Sequence, residues 1–174
     1  MVQTFLSRAV WFAVLVLLQA LVFNHVHILG YATPMPCLFF LLTLDSGTPR
    51  WVYVALGFAL GLTVDLFSNT PGMAASAMCL LGLVCPLVLK VFSPGDKKYG
   101  GADNNETFVP SHVTMEWGNF ARYVFACTVI YCVTFFLIES FSVFDWQMLL
   151  LNIGGSTLLT TLFVLAMELV RKSK

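Results

Sequence analysis

The residues best placed to act together lie between Ala55 and Ala77, in the stretch ALGFALGLTVDLFSNTPGMAASA, where Gly57, Gly61 and Asp65 recur every fourth residue. At 3.6 residues per turn this spacing puts all three on one helix face. Glycines four apart let a second helix approach closely. A carboxylate on the same stripe is costly beside lipid, so Asp65 should face protein or water. Two roles are open to it. It can fix the adjoining turn, accepting hydrogen bonds from Ser68, Asn69 or later backbone donors, because the run Ser68, Asn69, Thr70, Pro71, Gly72 is made of turn formers. Alternatively, it is an interfacial acid in contact with water.

A second small and polar stripe, Asn152, Gly155, Ser156 and Thr160, has helical spacing near the C-terminal end. Side chains of this kind hydrogen-bond across membrane helices for roughly 1 kcal/mol or less, enough to choose a packing face. Cys37, Cys79, Cys85, Cys127 and Cys132 all fall in apolar stretches, where a thiol packs as a small hydrophobe. His25 and His27 have alternate spacing but no adjacent cysteine or carboxylate to complete a metal set. The sequence contains no HExxH, GxSxG or CxxC motif and no phosphate loop ending in lysine. Asp65, Glu139 and Asp145 could converge at one depth, but without a nucleophile or metal partner they make a poor hydrolytic set. The expectation is a non-enzyme, with no catalytic, cofactor-binding or metal-ligating residue assigned.

The elements that position these residues follow from composition. Of the 174 residues, 59% are hydrophobic and 10% charged, and the mean hydropathy is +0.86. A water-soluble domain could not bury that much apolar surface. Six apolar stretches emerge: Ala9 to Phe23, Ile28 to Leu44, Trp51 to Val64, Met73 to Leu89, Tyr123 to Ile138 and Trp146 to Val170. They predict an all-α membrane domain of about six spans filling residues 1–174. The second stretch holds Pro34 and Pro36 and the third runs into Asp65, so either can be tilted, thinned or partly unwound. Pro86 should kink the fourth unless the carbonyl it frees finds another donor.

Charge gives an independent test of the topology. All nine Lys and Arg fall before the first span, after the last, or in the even-numbered connections. The positive-inside bias therefore predicts that both termini are cytoplasmic. The first stretch follows Arg8 without a small-residue cleavage site and is read as an uncleaved span. Trp51, Trp117 and Trp146 lie at stretch edges, as interfacial anchors do. The net charge is zero, which argues against nucleic acid as a partner, and the basic ends suit lipid headgroups. The one long connection, residues 93–118, should be a flexible cytoplasmic loop, either a docking segment or a tolerated insertion.

The stretch GFALGLTVDLFSNTPGMAASA resembles the signature of the rod shape-determining protein MreD family. The residues that carry the likeness are Gly57, Gly61, Leu62, Asp65, Leu66, Pro71 and Gly72. It departs from the family pattern in the immediate succession of Pro71 and Gly72, in Ala74 and in the long 93–118 connection. The resemblance implies a scaffold in the bacterial inner membrane, a regulator of peptidoglycan synthesis during cell-wall elongation. It would bind the single-span protein MreC and, through it, the MreB filament and the wall synthases, and a homo-oligomer is possible. The implied fold is that of the S-components of energy-coupling-factor transporters. A vitamin-binding transporter subunit is therefore the rival reading, although the odd-numbered connections offer few polar donors for a ligand.

Overall fold

The computed structural model describes residues 14–16, 19, 33–70, 72–93, 108–111, 113–140 and 146–172. Its described helices are α1 (Leu38–Leu42), α2 (Arg50–Ser68), α3 (Met73–Phe92), α4 (Trp117–Glu139) and α5 (Trp146–Lys172), and the described residues contain no strand. Helices α2 to α5 have 19, 20, 23 and 27 residues. All four are long and apolar enough to cross a bilayer. The chain is a helical membrane protein, and these helices are its third to sixth predicted spans, each extended at one or both ends. Val14 to Val16 are helical as well, but most of the first predicted span, together with His25 and His27, lies outside the described residues.

The second predicted span, Ile28 to Leu44, is not a long helix over its described part. Residues 33–35 are irregular, Pro36 and Cys37 form a turn, and α1 runs for only five residues. Pro34 and Pro36 contribute no backbone donor and hold the residue before each of them away from helical geometry. Non-helical backbone is tolerated at membrane depth only where protein surrounds it. That condition is met, because every residue from Pro34 to Leu42 is buried and α1 touches α2, α4 and α5. The long helices pack in sequence order, each against the next, with the broken segment among them.

Successive passes run in opposite directions, so the starts of α2 and α4 share one end of the bundle with the finishes of α3 and α5. Arg50, Lys90, Arg122 and Arg171 all lie at or near that end. Exposed Trp51 and Trp117 mark the same level, and exposed Trp146 marks the opposite one. The connection expected to be flexible is folded onto the core in its last part. There Phe108 accepts the Ser46 N–H at 2.9 Å and donates its own N–H to Ser46 Oγ at 3.0 Å, and Met115 is fully buried. This contact joins the second and fourth connections on one face of the bundle.

Candidate functional site

Asp65 stands on the last turn of α2 and is only 3% exposed. Its Oδ1 accepts the Thr70 hydroxyl at 3.3 Å and the Ala74 N–H at 2.9 Å; its Oδ2 accepts the N–H groups of Gly72 at 3.1 Å and Ala75 at 2.9 Å. A helix begins with four backbone donors that have no partner inside the helix. Here Asp65 takes those of Gly72, Ala74 and Ala75, while the Met73 N–H reaches the Thr70 carbonyl at 3.5 Å. The first turn of α3 is thus capped by a carboxylate from the preceding helix, and the negative charge faces the positive end of the α3 dipole. The interfacial, water-exposed alternative is ruled out by the burial. Four donors fill the acceptor positions of the two oxygens, so the group holds backbone rather than a ligand.

The chain reverses between the helices through two left-handed residues, Asn69 at φ 55° and Gly72 at φ 89°. Asn is among the few side chains that adopt this region readily, and glycine does so without strain. The Asn69 N–H closes onto the Asp65 carbonyl, as does that of Thr70 at 3.2 Å. The Asp65 carboxylate is therefore held by Thr70 and by donors beyond it, not by the Ser68 or Asn69 side chains. The Ser68 hydroxyl is buried without a partner among the described residues. Pro71 lies outside the described residues.

The capping requires that α2 and α3 nearly touch. A Cβ on Gly57 would stand 2.6 Å from the Met78 carbonyl oxygen, and one on Gly61 would stand 2.5 Å from that of Ala74 and overlap the Ala75 Cα. The contact is reciprocal. A Cβ on Gly82, on α3, would meet the Tyr53 carbonyl oxygen at 2.6 Å. Gly82 was not singled out in the sequence, although it follows Ala75 by seven residues and so continues that helix's small face. Gly61 and Asp65 act together: the glycine lets the first turn of α3 come near, and the carboxylate one turn later binds it.

The second stripe also meets backbone. Ser156 Oγ accepts the Thr33 N–H at 3.1 Å and Thr160 Oγ1 accepts the Met35 N–H at 3.1 Å. At the far end of the broken segment the Tyr53 hydroxyl donates to the carbonyls of Leu44 and Asp45, at 3.2 and 3.1 Å. The Tyr123 hydroxyl reaches the Leu42 carbonyl at 3.3 Å and lies 2.9 Å from Cys85 Sγ. Side chains from α5 thus take up backbone donors in the irregular stretch that the prolines impose, and tyrosines from α2 and α4 take up the carbonyls left where α1 ends. Asn152 and Gly155 are half-buried on α5, and Asn152 Oδ1 has no partner among the described residues. Gln19 donates to the Pro34 carbonyl at 3.5 Å, and its Oε1 is likewise buried and unpartnered among the described residues.

Two further residues carry charge or a thiol to places the sequence did not flag. Glu168, 2% exposed near the end of α5, accepts Arg171 Nη1 at 3.4 Å; an acid three residues before an arginine was its only signal. Cys79 is half-exposed on α3, whereas the other four cysteines are buried. Glu139 is exposed at the end of α4 and Asp145 lies outside the described residues. Among the described residues no three His, Cys, Asp or Glu side chains cluster as metal ligands would. No family model, curated protein or solved structure matches the chain.

Proposed function

We propose that the chain is a non-enzymatic scaffold of the MreD type in the bacterial inner membrane, with both termini in the cytoplasm. In this reading it holds MreC through helix contacts and so ties the MreB filament to the wall synthases during elongation. The supporting observation is that four of the seven residues carrying the family resemblance, Gly57, Gly61, Asp65 and Gly72, are also those that lock α2 against α3. A hairpin fixed in this way is a pre-organised surface, which binds a partner helix at a lower cost in conformational entropy than a mobile one. The placement of the basic residues supports cytoplasmic termini.

The test is to tag the C-terminus, solubilise native membranes gently and identify the proteins that co-purify. MreC and wall-elongation proteins are expected. Recovery of transporter ATPases in their place would favour the second reading, an S-component-like subunit that binds a small vitamin. One observation supports that alternative: Gln19 Oε1 and Asn152 Oδ1 are buried acceptors without partners among the described residues; Gln19 hydrogen-bonds the broken segment, and Asn152 stands one turn before Ser156, which does so too. Unwound segments of this kind line substrate sites in transporters.

A further inference from the structure

The outer seam between α2 and α3 contains a groove of about 660 Å³. Phe58 from α2 and Cys79, Leu83 and Leu87 from α3 are among its walls, and Arg50 and Trp51 stand at one end. No acidic residue lines it among the described residues. The stripe Cys79, Leu83, Leu87 continues along α3 to Lys90, which is exposed at the same end as Arg50. The groove is thus apolar along its length and cationic at one mouth, with an indole at the level where membrane-interface tryptophans lie.

Its length indicates what fills it. From Arg50 to Phe58 the groove descends about 12 Å at 1.5 Å per helical residue. That is close to half of a hydrocarbon core of roughly 30 Å. A partner helix crossing the membrane would need a track through both leaflets, whereas an acyl chain occupies one. We infer that the groove seats a net-anionic glycerophospholipid from the leaflet on the Arg50 side. One acyl chain lies along Phe58, Leu83 and Leu87, and the phosphate sits between Arg50 and Lys90.

The test uses the full-length protein purified in detergent and offered phosphatidylglycerol and phosphatidylcholine of identical acyl chains, with retained lipid read by native mass spectrometry. Wild type should keep phosphatidylglycerol preferentially. Each of Arg50→Gln and Lys90→Gln should weaken that preference about fivefold, as expected for one cation near an anionic headgroup. Leu83→Trp, on a side chain already exposed to lipid, should fill the groove and lower retention of both lipids. The half-exposed Cys79 gives a second readout: phosphatidylglycerol should slow its alkylation by N-ethylmaleimide in wild type and not in the Arg50→Gln, Lys90→Gln double variant. Equal retention of the two lipids, or a preference unchanged in the double variant, overturns the assignment. A partner helix in the groove would instead show as alkylation protection by a co-purified protein and none by lipid. Lipid retention by the purified chain is independent of which proteins are recovered with it.

Discussion

Asp65 and Ala75 belong to different helices, yet the carboxylate of one holds the amide of the other at 2.9 Å. Such a bond ties the exit of α2 to the start of α3 and makes the pair one unit. Buried amides that lose their acceptor cost about 1–3 kcal/mol each.

Asp65→Asn should lower the thermal stability of the purified protein, because an amide offers one acceptor oxygen where the carboxylate offers two. Asp65→Ala should lower it further, leaving the amides of Gly72, Ala74 and Ala75 without a side-chain acceptor. Thermal unfolding in detergent measures the order. A variant with Asn as stable as wild type would show that the charge contributes nothing.

Gly57→Ala, Gly61→Ala and Gly82→Ala should each force α2 and α3 apart, at about 1–3 kcal/mol, the usual range for overpacking. Gly57→Leu and Gly61→Leu should in addition reduce recovery of the partner from membranes in which the protein still inserts. Gly154→Ala is the internal control. A Cβ there meets nothing within 4 Å, so the change should be neutral or stabilise the helix by about 0.5–1 kcal/mol. Equal effects at all four positions would mean that close approach is not what the three glycines supply.

Ser156→Ala together with Thr160→Val should release the Thr33 and Met35 amides. Hydrogen exchange at those two positions should accelerate while exchange inside α4 stays slow. Membrane hydrogen bonds of this type average about 0.6 kcal/mol, so the stability loss should be modest.

Ser46→Cys and Phe108→Cys, in a background lacking the five native cysteines, should cross-link with a short bifunctional maleimide in intact membranes. The backbone contact at 2.9 Å places the two sites side by side. Failure to cross-link, with each thiol singly reactive, would separate the two connections.

The long helices were legible because a lipid-facing span must be a continuous apolar run, but their ends were not: each of α2 to α5 runs past its apolar stretch at one or both ends, where polar residues such as Arg122 and Ser68 continue the helix. The stripe of Gly57, Gly61 and Asp65 was legible as well, since a four-residue period survives without knowledge of the neighbour. Which donors Asp65 accepts was only partly legible: the turn formers pointed to capping of the downstream backbone, but the choice of Ala74 and Ala75 over Ser68 depends on how the chain reverses through Asn69 and Gly72. Gly82 was missed because its one signal, the seven-residue spacing from Ala75, marks a small face without showing which helix that face meets. The second segment looked apolar enough to be a span. Its prolines announced a break, but not that Ser156, Thr160 and Tyr123 would supply partners from far along the chain. Contacts of that kind are written in the packing of distant segments, which hydropathy does not encode.

The capping of α3 by Asp65 bears on how the chain enters the bilayer during synthesis. A lone aspartate in the middle of an inserting helix costs about 2.5–3.5 kcal/mol on the translocon scale, less towards the end of a segment. Asp65 emerges from the ribosome before the amides that will hold it. Helix α2 therefore gains by waiting at the protein-conducting channel until the first turn of α3 arrives, so that the two leave it as a pre-formed pair. Insertion of α2 and α3 as a pair is the expected outcome: a chain released from the ribosome after Ser68 should stay beside the channel longer than one released after Phe92.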